Sequence, residues 1–112
     1  MSTTAKVKAG AGEANEVMRE FASSIQQTLE EGSKALIFGS AAEEFQTAND
    51  VDVLIAGRGD ANGIRERGKT LGKETHIIQV KTLAKVSPAL RSEVIKKHIL
   101  INGTEEFVRW MA

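Results

Sequence analysis

The spacing of apolar positions changes several times along this chain. From Glu13 to Glu31 they fall at Val17, Met18, Phe21, Ala22, Ile25 and Leu29, which is the spacing of one helical face. Gly32 offers a C-cap, so the helix is expected to end there. Lys34 to Phe38 is a short apolar run between Gly32 and Gly39 and reads as a strand. Ser40 to Phe45 reads as a turn of helix, and Gln46 to Asn49 as a polar loop. Asp50 to Ala56 is rich in Val, Leu and Ile and predicts a second strand. Asn62 to Leu71 has weak helical character, diluted by Gly63 and Gly68. Glu74 to Thr82 predicts a third strand. Ser87-Pro88 then supplies an N-cap and a first-turn proline for a helix to about Lys97. Ile99 to Ile101 is a short apolar segment, Asn102-Gly103 a turn, and Thr104 caps a last short helix to Met111.

Alternating strands and helices without an internal repeat or a linker predict one α/β domain, a small mixed sheet flanked by helices, over residues 13–112. Residues 1–12 show no periodicity and read as a flexible tail. At 112 residues and 41% apolar content, the chain is long enough to bury a core and too apolar for a disordered segment. The absence of cysteine excludes disulfides and thiolate-held metals. No apolar run approaches the span of a membrane, and the N-terminal stretch lacks a signal peptide's apolar segment, so the expected location is the cytoplasm. With no tyrosine and only 4% aromatic residues, a base-stacking nucleic-acid platform is not indicated. Net charge is zero but uneven. Acidic residues concentrate before Gly57 and basic residues after it, which is either a pattern of solvated faces or a cation site opposite phosphate contacts.

The sharpest chemistry lies in FGSAAEEFQTANDVDVLI, residues 38–55. On a strand, Asp50 and Asp52 point to one face with Cα atoms about 6.5 Å apart, while Val51, Val53 and Ile55 point to the other. Two carboxylates that close repel unless something neutralises them, and a hard divalent cation does so. The plain alternative is an exposed strand start. Gly39-Ser40 adds weight to the cation. A strand ending in Gly-Ser and turning into a helix offers backbone N–H groups to phosphate, with glycine allowing close approach.

A hydrophobic strand ending in Gly-Ser, a nine-residue spacer, and Asp-x-Asp opening a second hydrophobic strand together resemble the minimal nucleotidyltransferase family of the polymerase-beta-like superfamily. The similarity covers roughly residues 13–111, with HIIQVKTLAKVSPALRSEVIKKHILINGTEEFVRW matching the family's third strand, helix and terminal segment. The resemblance implies that Gly39 and Ser40 hold the β- and γ-phosphates of a nucleoside triphosphate, most simply ATP. It implies that Asp50 and Asp52 are the catalytic carboxylates that ligate Mg²⁺ or Mn²⁺. The implied reaction is in-line attack of an acceptor hydroxyl on the α-phosphate, releasing pyrophosphate.

The chain departs from the family pattern at several positions. Ala41 and Glu43 stand where many members have arginines, and Asn49 where serine is frequent. The position best aligned with a third-strand carboxylate is Gln79, whose amide cannot act as a carboxylate base. Glu74 and His76 lie out of phase with Gln79 on an alternating strand, so Glu74 can replace it only in a shifted register. Small members of the family often partner a helical toxin or transferase. Two readings therefore stand: a Mg²⁺-dependent nucleotidyltransferase, or a catalytically weak antitoxin-like partner subunit, with a homodimer left open. Neither a dinucleotide fingerprint around Gly57, Gly59 and Gly63 nor the Arg-Gly-Asp turn at 58–60 gains support from its surroundings.

Overall fold

The structure is a computed structural model and describes residues 9–103. It contains α1 (Ala9–Thr28), β1 (Lys34–Phe38), α2 (Ser40–Glu43), β2 (Asp50–Ala56), α3 (Ala61–Thr70), β3 (Glu74–Val80), α4 (Pro88–Lys96) and β4 (His98–Asn102), with a single 3-10 turn at Leu83–Lys85. The first eight residues of the expected tail and the expected helix from Thr104 to Met111 lie outside the described residues.

The four strands form one sheet in the order β3-β2-β1-β4. β1 pairs antiparallel with both β2 and β4, whereas β2 and β3 run parallel, joined by the α3 crossover. The expectation of a small mixed sheet flanked by helices is met. Central position explains why KALIF is apolar without alternation: β1 is buried on both faces. On one face Ala35, Ile37, Val51, Val53 and Ile55 pack with Phe21 and Ile25 of α1, Phe45 after α2, and Ile64 of α3. On the other, Leu36, Phe38 and Leu54 pack with Val86 and with Val94 of α4.

Boundaries of β1 and β2 match the apolar pattern, and Ser87 caps α4 by accepting a hydrogen bond from the Leu90 amide at 3.2 Å, as its position beside Pro88 predicts. Three expectations need correcting. Residues 9–12, expected in the tail, form the start of α1. α1 ends at Thr28, before Gly32, which lies in the following turn at φ 86° and is not its C-cap. The Thr28 hydroxyl instead bonds back to the Ile25 carbonyl at 2.9 Å, and Glu30 is already tied to the Arg58 carbonyl. Val17, assigned to the apolar face from its spacing, is exposed; Met18, Phe21, Ala22, Ile25 and Leu29 carry the contact. Helix α3 forms despite two glycines because Asp60 caps it, accepting from the Gly63 amide, and because Gly68 lets it pack closely on Thr75 of β3.

Candidate functional site

The second face of β2 is only partly covered. Leu54 is buried under the α4 layer, but Asp52 and Asp50, nearer the strand start, lie beyond it. Asp50 is exposed and the Asp52 side chain retains 30% of its accessibility. The cross-strand register pairs Phe38 of β1 with Asp52. The end of β1, and hence Gly39, therefore meets the Asp52 carboxylate. Gly39 has φ 75° and ψ −153°, a backbone region that only glycine adopts without strain. A Cβ there would stand 2.6 Å from Asp52 Oδ2. The Gly-Ser turn and the Asp-x-Asp strand, ten residues apart in sequence, are thus in contact. Ser40 is exposed at the start of α2, and a first helical turn leaves N–H groups without intrahelical partners. Ala41 and Ala42 are buried in the core, while Glu43 and Glu44 face solvent, so the two glutamates do not crowd the site.

The parallel register of β2 and β3 overturns the expectation for the third strand. Asp50 pairs with Glu74, Asp52 with His76, and Ile55 with Gln79. Paired residues in a parallel ladder share a face, so Glu74 and His76 stand with the two aspartates. Gln79 belongs to the opposite alternation, and its side-chain amide donates to the Gly57 carbonyl at 2.9 Å. Gln79 is therefore a strap at the C-terminal end of β2, not the successor of a third carboxylate. No register shift is needed to bring Glu74 into place.

His76 ties the cluster together. Its Nδ1 lies 3.1 Å from Asp52 Oδ1 and its Nε2 3.7 Å from Glu74 Oε1. The hydrogen bond to Asp52 raises the His76 pKa above its ordinary 6.5, and the charges of Glu74, Asp52 and Asp50 push the same way. Ligand atoms of Asp50, Glu74 and His76 all lie within 4.8 Å of one another. This donor set, oxygen-rich with one imidazole, fits a divalent cation. The chemistry available is neutralisation of phosphate charge by a held cation, with several carboxylates able to accept a proton.

The loop that delivers Asp50 to this face is fastened by a residue whose role had no sequence signal. Lys73 Nζ donates to the Phe45, Gln46 and Ala48 carbonyls at 2.8, 3.3 and 2.7 Å, and lies 4.9 Å from the Phe45 ring centre. Adjacent to it, a cleft of about 630 Å³ runs along the outer edge of β3 and is lined in part by Arg65, Lys69, Glu74 and His76.

Comparison of this fold with solved structures finds a toxin–antitoxin with AMP-PNP, at 19% identity, TM-score 0.51, covering 86% of this chain and 82% of that one. A mutant of the toxin–antitoxin MntA-HpeT matches at 18% identity and TM-score 0.52, covering 87% and 80%. This chain has a nucleotidyltransferase-like fold. The shared fold extends over most of this chain. No family model and no curated protein matches the sequence. Among the described residues, no helix is long and apolar enough to cross a membrane.

Proposed function

We propose that this protein binds a nucleoside triphosphate, ATP in the first instance, together with a divalent cation, and transfers the nucleotidyl group to an acceptor hydroxyl. It does so as the antitoxin-like member of a complex with a helical partner protein. One observation carries the reading: the β2–β3 register sets Glu74 beside Asp50 and Asp52, giving three carboxylates on one sheet face against the Gly39 turn. The site therefore has the third carboxylate that a count from Gln79 denies it. The fold shared with a toxin–antitoxin structure containing AMP-PNP supports both the nucleotide and the partner.

In this reading Gly39 and Ser40 lie along the β- and γ-phosphates. Asp50 and Asp52, with Glu74 beside them, hold Mg²⁺ or Mn²⁺, which supplies charge neutralisation at the phosphates. A carboxylate of the set takes the proton of the acceptor hydroxyl as its oxygen attacks the α-phosphorus in line and pyrophosphate leaves. Arg65 and Lys69, along the neighbouring cleft, carry the sign of charge that attracts a phosphorylated or acidic acceptor.

A second reading, a partner subunit without turnover, is favoured by Ala41. This position is 1% exposed and packed in the core, so the chain has no cation next to Gly-Ser. One experiment separates the two. The protein, alone and with a co-purified partner, is titrated with AMP-PNP and Mg²⁺ by calorimetry and then incubated with α-labelled ATP. Binding that is lost in Asp50→Asn, with label transferred to the partner or another acceptor, is the expected result. Binding without transfer supports the partner reading, and absence of nucleotide binding in every arm refutes the site.

A further inference from the structure

We infer that the outer edge of β3, with the exposed face of α3 beside it, is the surface through which two copies of this chain pair, antiparallel about Ile77. The inference stands on backbone and charge geometry and does not depend on the nucleotide or the cation.

β3 ends the sheet, and among the described residues no strand pairs with its outer side. Its inner hydrogen bonds show which groups are unclaimed. The Glu74 amide donates to the Asn49 carbonyl at 2.9 Å, and the Val80 carbonyl accepts from the Gly57 amide at 2.9 Å. Alternate residues of a strand turn their backbone to the same neighbour, so Glu74, His76, Ile78 and Val80 face β2. Thr75, Ile77 and Gln79 therefore turn N–H and C=O outward. Sheet edges are usually blunted by proline, a bulge or short length. β3 has seven residues, no proline and an unbroken register with β2. A second β3 laid antiparallel with Ile77 opposite Ile77 pairs along the whole strand. Thr75 then meets Gln79 and the two Ile77 residues meet each other, so every outward group finds a mate. Half-buried Ile77 forms an apolar pair at the axis, and the exposed Ile78 stands opposite His76 of the second copy.

Charge on α3 selects a second copy as the occupant. The cleft of about 630 Å³ along this edge is lined on the α3 side by Asn62, Arg65, Glu66 and Lys69. That row is self-complementary about the midpoint of Arg65 and Glu66: a two-fold axis there sets each Arg65 opposite Glu66 of the second copy. The strand and helix centres lie near one axis. Gly68 of α3 packs on Thr75 of β3, and a crossover helix runs antiparallel to the strands it joins. From that contact the Arg65–Glu66 midpoint lies about 4 Å along the helix, and Ile77 about 6.6 Å along the strand, in the same direction. The two centres thus agree within about 3 Å. A helix seated over β2 and β3 would lie about two strand spacings, roughly 10 Å, from its copy, which is helix-packing distance. Arg65 and Lys69 line the cleft that the copy fills, so a dimer and an acceptor exclude one another there.

The test is sedimentation velocity of the full chain over a wide concentration range, with amide exchange read by NMR. Wild type is expected to pass from monomer to dimer as concentration rises, and the Ile77 amide to exchange at least about tenfold more slowly in the dimer. Arg65→Glu and Glu66→Arg should each weaken the dimer about tenfold, because each sets like charges opposite at two symmetry-related positions. The double variant, Arg65→Glu with Glu66→Arg, should restore it. Both side chains are exposed, so the variants keep the fold. A chain that stays monomeric throughout would overturn the inference. So would a dimer indifferent to the single reversals, one not rescued by the double variant, or one in which the Ile77 amide exchanges as fast as in the monomer.

Discussion

Replacing Gly39 with alanine tests the contact on which the site is built. The perturbation has two parts. Alanine at φ 75°, ψ −153° enters a region tolerated essentially by glycine alone, costing about 2 kcal/mol. Its Cβ would also lie 2.6 Å from Asp52 Oδ2, about 1 Å inside ordinary van der Waals contact. Asp52 can rotate away, but only by giving up His76 Nδ1. The total should be about 2–3 kcal/mol, a large share of the 5–15 kcal/mol typical of a domain. With a urea slope of about 1.5 kcal/mol/M, the unfolding midpoint should fall by roughly 1.3–2 M at unchanged slope. The assay is equilibrium urea unfolding of wild type, Gly39→Ala, Asp52→Ala and the double variant. Asp52→Ala removes the clash but not the backbone strain, so it should rescue only part of the loss. A loss below about 0.5 kcal/mol in Gly39→Ala, the scale of an ordinary surface change, would refute the reasoning. Full rescue by Asp52→Ala would show that the backbone conformation costs nothing, which contradicts half of it.

Three other outcomes follow from the geometry. Glu74→Gln should lower Mn²⁺ affinity at least about tenfold, whereas Gln79→Ala should leave it unchanged; calorimetry on both variants decides between the two residues. In the metal-free protein the His76 imidazole should titrate above 6.5 by NMR and move back down in Asp52→Asn; because the folded value is raised, any stability this proton contributes is complete below the unfolded value and disappears as pH rises through the folded one, and equal midpoints in both proteins would remove the hydrogen bond as its cause. Lys73→Met should cost about 1–2 kcal/mol, a discounted value for a half-exposed charged donor to three carbonyls, and should speed amide exchange selectively at residues 45–49; uniform exchange across the chain would contradict its role as the fastener of that loop.

Much of the site was legible along the chain because its information is local. Period-two alternation alone sends Asp50 and Asp52 to one face and Val51, Val53 and Ile55 into the core. The glycine before Ser40 marks a conformation that other residues resist, and continuous apolarity in KALIF marks a strand covered on both sides. The serine and proline that open α4 likewise act within a turn of where they stand, as Ser87 does.

The third strand was different. Its boundaries and alternation were readable, but its partner face was not, because alternation gives two sets of residues without saying which set meets the aspartates. Counting from Gln79 chose the wrong set. Counting from the strand starts, Asp50 against Glu74, would have chosen the right one. A slip of one residue exchanges every side chain between faces, and nothing within HIIQV fixes the slip. It is fixed at a distance: by the Glu74 amide on the Asn49 carbonyl, by the Gly57 amide on the Val80 carbonyl, and by α3 packed through Gly68 onto Thr75. The sequence by itself determined two aspartates and a Gly-Ser turn. Tertiary structure decided that Glu74 and His76 stand on the same face as those aspartates, because register is a property of two strands joined through a helix and not of either strand alone.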